Sequence, residues 1–177
     1  MATPMSPSSE VLLRPGPRPG DLGRVLAMHG ELYAREYGFD ERFEAHVARG
    51  LAGFAAALGE ARDAPPAVAP GRLWVAERSE ALVGTVALTD EGDRVGQLRW
   101  FLVAPDGRGS GLGRLLLRTL LDHAREDGYT HIKLWTVHVL EAAARLYTEA
   151  GFRCTERHPT RQFGRVLDEL RYDLDLA

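Results

Sequence analysis

Residues 104–121 read APDGRGSGLGRLLLRTLL, and the fold turns on how that stretch is read. Four glycines and two arginines stand between Pro105 and Arg114. The residues just before, LRWFLV (98–103), are apolar and branched or aromatic, as a buried strand requires. Those after place Leu112, Leu115, Leu116, Leu120, Leu121 and Ala124 on one helical face. A glycine-rich turn therefore joins a strand to a helix. The first turn of a helix leaves unpaired N–H groups and a partial positive charge, which together make an anion site. Glycine lets the backbone curl and lets a phosphate approach without meeting a Cβ, and Arg108 and Arg114 add forked donors. The turn reads as a phosphate or pyrophosphate cradle.

Outward from the turn, the chain reads as alternating elements. Upstream, RLWVAE (72–77), LVGTVALT (82–89) and VGQLRWFLV (95–103) are three strands joined by short polar turns, an antiparallel meander. The proline-rich stretch EARDAPPAVAPG (60–71) precedes them. Before it, two helices are predicted, one opening at Asp21 as a cap and one at Asp40, behind a short strand at 11–16. Downstream, Gly128 suits the left-handed position after a helix, THIKLWTV (130–137) is a strand, 141–151 is a helix, and two closing strands end the chain. A strand–helix–strand path of this length implies a parallel pair. Residues 1–10, small, polar and proline-containing, read as a disordered leader, and 11–177 as a single domain.

Composition excludes several classes. The chain has 177 residues, 45 % of them hydrophobic and 27 % charged, with a net charge of −3. That is ordinary globular composition, without the basic surface that nucleic acid favours. Cys154 is the only cysteine, so no internal disulfide forms. No apolar run reaches the roughly 20 residues of a membrane span, and MATPMSPSSE is no secretory signal; the expected location is cytoplasmic. The histidines are scattered, without metal-ligand spacing.

Two familiar phosphate loops fail on this stretch. The nucleotide-hydrolase loop needs lysine then serine or threonine after its last glycine, and here Arg114 and Leu115 follow Gly113. The dinucleotide pattern accepts Gly109 and Gly111 but meets Arg114 where its third glycine belongs. A third pattern fits: Arg108-Gly109-Ser110-Gly111-Leu112-Gly113 resembles the (Gln/Arg)-x-x-Gly-x-(Gly/Ala) signature of the GNAT superfamily of acetyltransferases. LWTVHVLEAAARLYTEAGF (134–152) is similar to that family's second segment through Ala143, Leu146, Tyr147, Gly151 and Phe152. The wording also resembles acetyltransferase domains fused behind MarR-type regulators. That implies a free-standing bacterial relative, since no winged-helix segment precedes it here.

The resemblance implies an α/β (α+β) fold: a mixed, mostly antiparallel sheet of about six to seven strands with a central parallel splayed pair, flanked by about four helices. It implies an acetyl-CoA-dependent N-acetyltransferase acting on a primary amine of a small molecule, protein or peptide, with acetyl-CoA as co-substrate, no metal, no nucleic-acid or membrane partner, and a homodimer among the expected assemblies. Backbone at Phe101, Leu102 and Val103 would pair with the pantetheine arm. Residues Arg108, Gly109, Ser110, Gly111, Leu112 and Gly113, with Arg114, would hold the pyrophosphate. Tyr147 matches the family's proton donor to the leaving thiolate.

Direct transfer needs a neutral amine. With a pKa near 10.4, only about one alkylamine in a few thousand is neutral at pH 7, a deficit of roughly 4–5 kcal/mol. A base can recover part of it. The glutamate that many members carry before the loop is replaced here by Arg99 or Gln97, and an asparagine before the second segment by Leu140. The candidate bases are His138, Glu31 and Glu36, the two glutamates also standing where they could attract a cationic amine. His29, Trp74, Trp100 and Trp135 read as core residues and Cys154 as a strand residue. The alternative function is a non-catalytic acyl-CoA-binding sensor.

Overall fold

The computed structural model describes residues 10–64 and 69–176; residues 1–9 of the expected leader lie outside them. The elements run β1 (Leu12–Gly16), α1 (Asp21–Tyr37), α2 (Glu41–Asp63), β2 (Gly71–Arg78), β3 (Ala81–Asp90), β4 (Val95–Val103), a single 3-10 turn at Pro105–Gly107, α3 (Leu112–Glu126), β5 (His131–Val137), α4 (Glu141–Glu149), β6 (Arg153–Gln162) and β7 (Arg165–Asp175). All seven strands form one sheet in the order β1-β2-β3-β4-β5-β7-β6. Only β4 and β5 run parallel; the other pairs are antiparallel. The expected mixed sheet with one central parallel pair and four flanking helices is the observed architecture.

Each face of the sheet buries its own core. On one side α3 and α4 cover Val86, Leu88, Leu98, Ile132 and Leu134. On the other, α1 and α2 cover Leu73, Val75, Ala87, Trp100 and Val137. Period-2 alternation along the strands sends neighbouring residues to opposite cores. Leu116, Leu117, Leu120 and Leu121 of α3 are all buried, each worth about 1.5–3 kcal/mol relative to exposure.

Three expectations are corrected. Leu115 lies at the rim of the α3 stripe and is exposed, while Leu117 takes the buried place, because the helix packs with its axis turned slightly from the ideal face. Asp21 is not the cap of α1: Gly20 holds that position without a side-chain bond. The Asp21 carboxylate is instead buried, accepting from both Arg14 Nη atoms at 2.9 Å and from the Arg18 amide at 2.7 Å. Arg14 also reaches Glu77 at 2.8 Å, so a buried ionic cluster ties β1 to α1 and β2. Hydrogen bonding to Arg14 holds Asp21 below the usual carboxylate range. Trp135 is 39 % exposed rather than core. Asp40 does cap α2, accepting from the Arg42 amide, and Gly128 does take a left-handed φ of +80° after α3.

Candidate active site

The parallel pair holds together for only three rungs, Val95↔His131, Gly96↔Ile132 and Gln97↔Lys133. Beyond them the strands part. β5 continues straight, paired to β7 through Val137↔Glu169. β4 swings away because its register against β3 slips: Ala87 faces Arg99 but Thr85 faces Leu102. Two residues, Trp100 and Phe101, thus oppose one, which is a β-bulge. Trp100 takes φ +47°, a left-handed conformation that costs an L-residue roughly 1–2 kcal/mol. Packing holds it there: its ring lies 5.6 Å from Phe54 and 4.6 Å beneath the Arg99 guanidinium. The edge of β4 that faces β5 is left without a strand partner from Leu98 onward.

Two cavities meet at this wedge. One, of about 310 Å³, runs from the open edge to the glycine loop and is lined by Phe101, Leu102, Val103, Arg108, Gly109, Gly111, Gly113 and Arg114. The other, of about 350 Å³, lies between α1, α2 and the far ends of β5, β6 and β7. Phe101, Tyr33, Leu140 and Ala143 line both. The shared lining sets the two cavities side by side at the gap between β4 and β5.

At the loop end, Gly109 and Gly111 take φ +74° and +86°, and a Cβ on either would meet nothing within 4 Å. The loop is therefore open above its backbone. The first helical bond of α3 is from the Leu115 amide to Gly111 O at 3.0 Å, and Gly111 offers no side-chain cap. The amides of Leu112, Gly113 and Arg114 thus have no helical acceptor. This donor set fits a diphosphate. Ser110 and Leu112 line neither cavity. The Ser110 hydroxyl donates to Gly107 O at 2.7 Å, and the Leu112 side chain is core. Arg108 donates to Val103 O at 3.1 Å and to both Glu36 oxygens at 3.0 Å, and Arg114 pairs with Glu149 at 2.9 Å. Both arginines are more than one-third exposed, where such pairs exchange readily.

Tyr147 lines the larger cavity beside Phe101 and Ala143, which line both. It is buried, with its ring 5.8 Å from those of Phe101 and Tyr172. Burial, with Tyr33 and Tyr172 nearby, pushes its phenol above the ordinary range, so it keeps its proton at neutral pH.

The other expected residues are dispersed. His138 is exposed at the end of β5; its Nδ1 accepts from the Asp168 amide at 2.9 Å, and it lines neither cavity. Glu31 is exposed on α1, and Glu36 is engaged by Arg108. His29 is buried with Nδ1 2.8 Å from Val25 O. Three residues that line the larger cavity were absent from the expected site: His46, Glu169 and Arg99. His46 is exposed at the cavity rim; partial desolvation, then the cationic Arg99 and Arg49, lower its pKa against the opposing pull of Glu169, so its imidazole is neutral at pH 7. One signal lay in the sequence: Phe43, His46, Val47 and Gly50 share one face of α2. No group of three or more metal-ligating side chains is present among the described residues, nor is any described helix long and apolar enough to cross a membrane.

A splayed parallel pair, a glycine loop opening a helix and adjoining cavities between them define the acetyltransferase class of fold. The acetyltransferase (GNAT) family model matches residues 54–152, and the chain belongs to that family. Human N-acetyltransferase 8B is 35 % identical over 101 residues, 54 % of this chain and 44 % of the relative. N-acetyltransferase 8F1 of Rattus norvegicus is 35 % identical over 104 residues, 56 % of this chain and 47 % of the relative. The matched segment is under half the length of these curated relatives. Among solved structures, a GNAT-family acetyltransferase of Staphylococcus aureus Mu50 superposes with a TM-score of 0.75 at 18 % identity, over 95 % of this chain and 100 % of its own. Salmonella typhimurium yncA, solved with its cofactor acetyl-CoA, superposes with a TM-score of 0.72 at 22 % identity, over 96 % and 95 %. At these identities the likeness is one of fold.

Proposed function

We propose that residues 11–177 act as one domain that transfers the acetyl group of acetyl-CoA directly to a primary amine. The observation that carries this reading is the pair of adjoining cavities at the β4–β5 gap, one reaching the glycine loop and the other lined by a neutral histidine and a protonated tyrosine. The unpaired amides of 112–114 and the side chain of Arg108 would hold the diphosphate. The open edge of β4 at Phe101–Val103 would hydrogen-bond the pantetheine arm as an added strand does. When bound, acetyl-CoA supplies an acyl group activated as a thioester. N–H groups on the same open edge are placed to stabilise negative charge on the acyl oxygen.

The chain's own proton movements follow from placement. Tyr147 holds a proton beside the gap and would deliver it to the leaving sulfur, its phenolate regaining the second proton that the acylated nitrogen sheds. At the acceptor end, the neutral His46 imidazole takes a proton from the incoming ammonium, with Glu169 stabilising the cation formed. His138 has its Nδ1 occupied by Asp168, so we assign the base role to His46.

The test is to follow thiol release with acetyl-CoA over a panel of amines, beside calorimetric binding of acetyl-CoA. The expected result is binding together with turnover on a subset of amines. Binding with no turnover on any amine would instead support an acyl-CoA sensor.

A further inference from the structure

Arg99 is an unusual residue to find in this place. It stands on the bulged half of β4, where the slip in register puts it on the same face as Trp100. Its guanidinium carbon lies over the Trp100 ring, 4.6 Å from the centroid, and the residue lines the larger cavity. Helix α2 makes room for it with a glycine: a Cβ on Gly50 would fall 2.5 Å from Arg99 Nη2. Burial depresses its pKa, with only the distant charge of Glu91 opposing, and Glu91 is already held by Lys133 at 3.0 Å. Among the described residues, Arg99 makes no ion pair and no hydrogen bond.

The guanidinium keeps some contact with solvent and is not among the buried unpartnered polar atoms, so it stands at the cavity as a cation free to take an incoming anion. A guanidinium presents a planar fork that fits a carboxylate through two parallel N–H···O bonds. The same cavity also holds an unpaired carboxylate, Glu169 on β7. Arg99 and Glu169 leave each other unpaired, yet His46 is within electrostatic reach of both. The cavity therefore offers one cationic and one anionic anchor around a neutral base, with Phe43 and Phe163 as an apolar wall. Its volume of about 350 Å³ is that of a small-molecule pocket.

We infer that the acceptor is a small amine that also carries a carboxylate, with Arg99 binding the carboxylate and Glu169 drawing in the ammonium beside His46. This rests on the transferase reading above and narrows its acceptor from amines in general to amino-carboxylates. A lysine side chain within a protein, or a peptide amino terminus, lacks a carboxylate at that distance and would leave Arg99 unsatisfied.

The experiment compares phenylalanine with phenylalaninamide and phenethylamine as acceptors, by initial rates of thiol release, in wild type and in Arg99→Gln, Arg99→Lys and Gly50→Ala. The carboxamide's amine is the less basic, so basicity alone would favour it. Wild type is expected to prefer the free acid by on the order of 10- to 100-fold in kcat/KM, the range of a hydrogen-bonded charge. Arg99→Gln is expected to bring that ratio near one, mainly through KM. Arg99→Lys, which keeps charge but loses the fork, should give an intermediate ratio. Gly50→Ala, which displaces the guanidinium without changing its charge, should lower the ratio too. A wild type that favours the carboxamide, or a ratio untouched by Arg99→Gln in a variant with native circular dichroism, overturns the inference.

Calorimetric binding of phenylalanine to the CoA-loaded protein gives a second readout that needs no turnover. Binding lost in Arg99→Gln supports the carboxylate anchor even if no amine is acetylated, an outcome that would defeat the transferase reading alone. No binding in wild type, or equal binding in both, defeats the anchor alone.

Discussion

The two halves of β4 are nine consecutive residues with opposite roles. From Val95 to Gln97 the strand is paired on both sides, to β3 and β5, and Gly96 is so enclosed that a Cβ would fall 2.6 Å from Leu88 Cδ1 and 2.8 Å from Ile132 Cδ1. From Arg99 to Val103 the same strand is bulged, paired on one side only, and lines both cavities. Hydrophobicity would assign the roles the wrong way round, since LRWFLV, the half that lines the cavities, is the more apolar. What differs is pairing. A strand paired on both sides has no free backbone donors, so it can meet a ligand only through a side chain, as Gln97 does at the rim of the larger cavity. A strand that has lost one partner offers its backbone as well.

That contrast can be broken at either half. The largest expected effect is at the open half: Tyr147→Phe should lower kcat by about 10²–10⁴-fold, the usual worth of a general acid, while calorimetric affinity for acetyl-CoA stays near wild type. Unchanged turnover would remove Tyr147 from proton delivery. Next, Gly111→Asp should weaken acetyl-CoA binding by about 100-fold, since it adds a carboxylate beside the diphosphate and forces an L-residue to φ +86°; equal affinity by calorimetry would contradict the loop assignment. At the paired half, Gly96→Val should destabilise by about 1–3 kcal/mol through overpacking, read as a shifted urea midpoint, with binding retained in the folded fraction. Lost binding without lost stability would show that the halves are not separable.

The last effect, absent at neutral pH, concerns His29, in the wall beneath the open half. Burial drives its pKa from 6.5 down to about 4, against the opposing bond to Val25. The unfolded chain takes up a proton near pH 6.5 that the folded chain refuses until about 4. Stability present above pH 6.5 is therefore lost as pH falls through that window, by at most about 1.4 kcal/mol per pH unit. His29→Gln should flatten the slope between those values in urea titrations; an unchanged slope would place its origin elsewhere.

Much of this was legible without the structure, for reasons that can be named. Helix and strand positions followed from periodicity because each element presents one apolar face to one of two cores. The glycine turn was legible because its residues are consecutive in the chain, but which amides it leaves free was not: the Arg108 amide bonds Pro105 O, and those without a helical acceptor are 112–114. Leu115 and Trp135 misled because rim positions carry apolar residues without being buried. Asp21 misled because an acidic residue at a helix start caps the helix unless a buried cation competes for it, and Arg14 does. His138 sits at the right end of β5, but its ring turns toward β7, a choice made by the Asp168 amide.

By itself, then, the amino-acid order determined the succession of elements, the central parallel pair and the glycine-rich turn that opens α3, because these depend on residues close together in the chain. The tertiary structure alone decided how wide the gap opens and what faces it. His46, Arg99 and Glu169 come from α2, β4 and β7, far apart in sequence, and they share one cavity only because a slipped register at Trp100 turns β4 aside. Register is a property of two strands at once, so no reading of either strand alone contains it.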